Sequence, residues 1–144
     1  MKTYLSLAVM ALVFAGSANA RDTVVNVSLA EVLAMPEAQG RLDSSVTFFP
    51  AGQAVPKKVQ RMESDVANEK TSGVGKSDEA ACKWAVLSAL IKFQASAKRH
   101  GANAVVDMVG YYKKIEGKND GTVECHAGNI MTGVAIKGTY AKLP

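Results

Sequence analysis

Residues 77–101, SDEAACKWAVLSALIKFQASAKRHG, carry the strongest structural signal in the chain. Ser77 is placed to cap a helix, and Asp78 and Glu79 follow in the first turn, where the helix dipole favours acids. Lys98, Arg99 and His100 fall in the last turn, where it favours cations, and Gly101 supplies a left-handed stop. Between these ends Cys82, Val86, Ala89, Phe93 and Ala97 recur at spacings of four and three, with Trp84, Leu87 and Ile91 as a neighbouring stripe. An apolar face this wide predicts a helix lying across a sheet, with Trp84 and Phe93 in the core rather than in a ligand cage.

The flanking segments supply that sheet. Downstream, Asn103 to Tyr112 reads as a strand, Lys113 to Gly121 as a polar loop, Thr122 to His126 as a short strand and Asn129 to Tyr140 as a longer one. Ala127-Gly128 is the hairpin turn between the last two, and the run Ile130 to Ile136 suits a central strand buried on both faces. Upstream, Thr23 to Val27 is β-branched, and Ser28 caps a brief helix, Leu29 to Met35, stopped by Pro36. Gly40 breaks the chain, and Leu42 to Phe49 forms a strand ending at Pro50. Residues 50–76 hold three of the punctuating glycines and two prolines with no sustained apolar period, so they read as a long loop, with a short strand around Val55 to Met62 as the alternative. The expectation is an α+β fold: one long helix packed on a small mixed or antiparallel sheet, with a short N-terminal helix and one disulfide.

The first twenty residues, MKTYLSLAVMALVFAGSANA, read as a cleavable secretory signal. Lys2 gives the basic start, Tyr4 to Gly16 the apolar run and Ala18-Asn19-Ala20 the small-residue exit. Cleavage after Ala20 leaves Arg21 first and 124 of the 144 residues, a single periplasmic domain over 21–144. The apolar run is too short to span a membrane, and no cysteine follows the cleavage point to carry a lipid anchor. Losing Lys2 lowers the net charge from +4 to +3, and the remaining cations are scattered, so no nucleic-acid partner is expected. In an oxidising compartment the two cysteines, Cys82 and Cys125, read as one disulfide closing a loop of about 44 residues. The rival reading gives those sulfurs, with His126 and His100, to a metal ion. The disulfide consumes both sulfurs and leaves only His126 and His100 as metal ligands.

Other motifs carry less. Gly73-Val74-Gly75-Lys76-Ser77 resembles the end of a phosphate-binding loop, but Lys70 stands where that loop needs glycine, and Glu69 to Ser72 is polar rather than a buried strand. No ATP binding is therefore expected. No nucleophile elbow and no acid pair is identifiable, so no catalytic residue and no cofactor is assigned; Asp107, a carboxylate within a strand, either lines a cleft or faces solvent.

Three stretches together resemble a known group: FFPAGQAVP at 48–56, ACKWAVLSAL at 81–90, and the segments GANAVVDM, YYKK, ECHAG and GVAIKG between 101 and 138. They are similar to small secreted bacterial proteins that carry the label "excinuclease ATPase subunit" or an equivalent excinuclease ABC label. With no complete phosphate loop and no zinc-ribbon cysteines, the activity in that label does not transfer. More distantly, the order of helix, Gly-Ala-Asn-Ala-Val-Val strand, cysteine and glycine-rich final strand resembles YbjQ-type domains and the periplasmic domain of the Rcs envelope-stress sensor lipoprotein. That resemblance implies a helix-on-sheet sandwich and, in the sensor, stabilising disulfides; the sensor's lipid-bearing cysteine is missing here. The functional expectation is a non-enzymatic periplasmic binding or protein-interaction module, its partner an envelope protein or a small ligand. Phe48, Phe49 and Gln53, at the root of the 50–76 loop, are the expected contact surface. The alternative is a periplasmic metal-binding protein using His126 and His100.

Overall fold

A computed structural model describes residues 20–144; the signal sequence read over 1–20 lies outside them apart from Ala20. The chain begins with strand β1 (Thr23–Ser28) and helix α1 (Leu29–Leu33), where the Ser28 hydroxyl accepts from the Glu31 N–H at 3.3 Å. Pro36 does end that helix, but it also opens a second one, α2 (Pro36–Arg41), at the first-turn position where proline loses no hydrogen bond. Gly40 sits inside α2 rather than breaking the chain. Strand β2 is shorter than expected, Thr47–Pro50, because residues 43–46 turn to place Asp43 against Lys98 and the Gln94 amide. Strand β3 (Gln60–Ser72), helix α3 (Asp78–Arg99), strand β4 (Ala104–Gly110), a 3-10 turn at Tyr112–Lys114, strand β5 (Thr122–Ala127) and strand β6 (Met131–Lys142) complete the fold.

Among the described residues, strand β6 is the spine of one six-stranded mixed sheet. Along one edge it pairs antiparallel with β3, from Ser72↔Met131 to Gln60↔Lys142. Along the other edge its first half pairs with β5 and its second half with β4. β1 continues outward from β5, and β2 lies parallel to β4. The position of β6 is central, as expected, although Ile130 and Met131 at its start are exposed.

The extended character of 60–72 overturns the reading of 50–76 as one long loop. Only residues 51–59 and 73–77 are irregular. β3 is an edge strand held by its backbone ladder to β6, so it needs little apolar content; Ala67 is its one fully buried side chain. Edge pairing leaves no hydrophobic period to read.

Helix α3 covers one face of this sheet. Ser77 caps it by accepting from the Ala80 N–H at 3.1 Å, and Gly101 ends it at φ +71°. Cys82, Val86, Ala89, Phe93 and Ala97 are all buried, as the spacing predicts, and pack on Val105, Val123, Val134, Ile136 and Tyr140. Trp84 is partly buried, with the Arg41 guanidinium 5.1 Å over its ring. The Cys82–Cys125 disulfide is formed across 43 positions and ties the second turn of α3 to the centre of β5.

Successive residues of β2 point to opposite sides, and both phenylalanines are taken inward. Phe48 enters the main core under α3; Phe49 packs with Ala104, Val106 and Ala141 in a smaller cluster that the 51–59 loop covers through Val55 and Val59. Of the expected contact residues Phe48, Phe49 and Gln53, the first is buried, the second half-buried and the third exposed.

Tyr140 is the largest fully buried side chain among the described residues. Its hydroxyl lies 2.6 Å from Asp65 Oδ2, to which it donates, and 2.7 Å from Ser96 Oγ. Burial, and then the Asp65 carboxylate, push its pKa up to about 12. In the unfolded chain the value is about 10. The folded state therefore holds this proton more tightly, and the stability it contributes, on the order of 2 kcal/mol, is intact below pH ~10 and lost as pH rises through ~12. Tyrosinate absorbance should show a late step near pH 12, and Tyr140→Phe should remove that step. A single ordinary titration for all tyrosines would contradict this burial.

Candidate functional site

Because Cys125 turns toward α3, its neighbours Glu124 and His126 turn to the opposite, open face of the sheet. The register carries that face across to β6 and β3: His126 is opposite Gly133, Gly133 opposite Lys70, and Ala135 opposite Asn68. The result is a recess of about 680 Å3 with a floor of Gly133 and Ala135. Lys70 and Asn68 form one wall, and Tyr112, Lys113 and His126 the other.

The His126 wall is held from every side. Its Nδ1 is 2.7 Å from Asp22 Oδ1, and its Nε2 is 2.5 Å from Glu124 Oε1. Each ring nitrogen thus lies within hydrogen-bond distance of a carboxylate oxygen. The Tyr112 ring stacks on it with centroids 3.5 Å apart, and the side chain is only 13% exposed. Arg21 closes one end of the recess. Its guanidinium grips Asp78 with two contacts of 2.7 and 3.0 Å and donates to the Gly128 carbonyl at 2.7 Å and to Asn129 Oδ1 at 3.0 Å. That pairing raises the Arg21 pKa and lowers that of Asp78, so both stay charged across ordinary pH.

Two backbone features mark the site. Lys113 and Lys114 have φ of +51° and +62°, left-handed values that cost a side-chain-bearing residue about 1 kcal/mol or more each. Gly133 lies in the interior of the central strand, where glycine weakens a sheet. A Cβ there would meet nothing closer than Lys70 Cγ at 3.5 Å, an ordinary contact. Gly138, five residues on, contrasts with it: a Cβ there would lie 2.7 Å from Val105 Cγ1, so core packing accounts for that glycine. Packing does not account for Gly133; the space above it is part of the recess.

No family model, curated protein or solved structure matches the chain. The resemblance to secreted "excinuclease"-labelled proteins rests on the quoted residues alone, and the site stands on its geometry.

The structure separates the two histidines that were candidates for a metal. His126 faces the open side of the sheet, whereas His100 caps α3 on the other side and stacks on Tyr140 with centroids 4.6 Å apart. His100 Nδ1 donates to the Ser96 carbonyl at 2.7 Å, and Nε2 lies 2.6 Å from Glu63. Among the described residues no group of three ligating side chains is placed to hold a metal ion. Asp107 departs from simple alternation: it sits on a bulge in β4 at φ +54° and bonds Arg61 Nε at 2.8 Å. Gly73 to Ser77 form the turn into α3, with the Lys76 ammonium on the Ser72 carbonyl at 3.3 Å. Asp78, paired with Arg21, occupies the first helical turn, where a bound phosphate would meet a negative charge.

Sequence reasoning missed Asp22, Tyr112, Lys113 and Gly133 as site members and saw Lys70 only as a flaw in a phosphate loop. The i, i+2 relation of Glu124 and His126, opposite in phase to Cys125, was the available signal. Asp22 and Tyr112 arrive from distant parts of the chain and leave no local pattern.

Proposed function

We propose that the mature chain is an exported, non-catalytic binding module of the bacterial envelope, and that it holds its ligand in the recess over Gly133 and Ala135. The observation that carries this reading is a preformed cavity, within the roughly 300–1,000 Å3 range of small-molecule sites, whose aromatic wall is fixed before any ligand arrives. The engagement of both His126 nitrogens by Asp22 and Glu124 supports binding over catalysis, because the ring is already committed to partners within the protein. Export fits the disulfide, which persists in oxidising compartments. Among the described residues no helix is long and apolar enough to cross a membrane.

Gly133→Val tests the reading. Valine suits a strand, and its Cβ meets no clash, so the variant should melt at or above the wild-type temperature while its side chain fills the floor. In a small-molecule thermal-shift screen, compounds that stabilise the wild type should lose that effect in Gly133→Val. Ligands that stabilise both proteins equally would place binding elsewhere and rule the recess out as the site.

A further inference from the structure

We propose that the recess selects a small organic anion, with Lys70 and Lys113 as its counter-charges; this rests on the reading of the recess as a ligand site. Five charged side chains and one imidazole line it: Arg21, Asp22, Glu69, Lys70, Lys113 and His126. Four are already engaged. Arg21 is bound to Asp78, Asp22 to His126, and Glu69 reaches across the helix side to Lys92 at 3.1 Å. Glu124, just outside the lining, is turned to the other nitrogen of His126. The acids at the site are thus each held by a cation or by the imidazole.

Lys70 and Lys113 are the remaining charges, and they stand on opposite walls. Neither is paired with a carboxylate among the described residues; Lys113 Nζ instead lies 5.5 Å from the Tyr112 ring centroid. The Lys70 stem borders the open space over Gly133, with its Cγ 3.5 Å from where a Cβ on Gly133 would stand. Lys113 is carried there by a turn in a costly left-handed conformation, and such strain persists where the surrounding structure enforces it and is concentrated at ligand clamps. Two ammonium groups without partners, across a floor of backbone, glycine and alanine, favour a ligand with one anionic group and a compact apolar body. A carboxylate and a phosphate ester share this chemistry.

The test uses the mature, disulfide-intact protein, labelled for amide NMR, and three probes of one size: benzoate, phenyl phosphate and benzamide. Benzoate or phenyl phosphate should shift the amides of Lys70, Tyr112 and Gly133, with the stronger of the two naming the anion. Benzamide should bind at least tenfold more weakly. Lys70→Gln with Lys113→Gln, neutral and similar in length, should lower the anion's affinity to that of benzamide and abolish its salt dependence. An unchanged amide spectrum elsewhere shows that this variant is folded. Equal binding of benzamide and benzoate at the recess, or full anion affinity in the double variant, would overturn anion selection while leaving the recess as a site. If none of the three probes moves the recess amides, both the anion proposal and the recess reading fail.

Discussion

Replacing Cys82 and Cys125 together by alanine is expected to lower the unfolding free energy by about 4 kcal/mol or somewhat less. The link spans 43 positions, and releasing it restores conformational freedom to that whole stretch of the unfolded chain. Both sulfurs are fully buried, so alanine is the substitution that avoids leaving a hydroxyl without a partner in the core. The link joins α3 to β5, the strand that carries Glu124 and His126, so amide exchange should rise first in β5 and in β1 beside it. Denaturant unfolding of the oxidised wild type and the double variant measures the difference. An unchanged midpoint with unchanged slope would mean the bridge contributes nothing to stability.

Phe93→Ala is expected to cost about 3–5 kcal/mol. Phe93 is 1% exposed, sits edge-on to Tyr140 with centroids 6.2 Å apart, and lies under Gly138, where an added Cβ would stand 3.4 Å from the ring. Removing the ring leaves a cavity between α3 and the spine strand that neither Tyr140, held by Asp65 and Ser96, nor the backbone of β6 is free to fill. Chemical denaturation and a cavity-binding probe such as xenon would both report it. A loss below about 1 kcal/mol would show that the core collapses around the gap.

Much of the architecture was legible because the relevant signals are local. The α3 cap, charge bias and apolar spacing sit within one stretch of sequence, and the structure places that helix on the sheet as read. The disulfide was legible from the count of cysteines, two in the whole chain. β3 was not legible, because an edge strand takes its stability from backbone pairing with β6, and its side chains carry no apolar alternation. The inward turn of Phe49 was hidden for a related reason: its cover is a loop, residues 51–59, whose path is set by tertiary contacts.

By itself the sequence determined the helix, its buried face, the cysteine pair and the α+β class, all of which follow from periodicity, capping and composition. The tertiary structure alone decided the site. It turned the phase opposite to Cys125 into an open sheet face, brought Asp22, Tyr112 and His126 together from three distant segments, and set Lys70 and Lys113 on facing walls. Register does this: which residues share a face is fixed by strand pairing over long separations, and no local pattern in the chain records it.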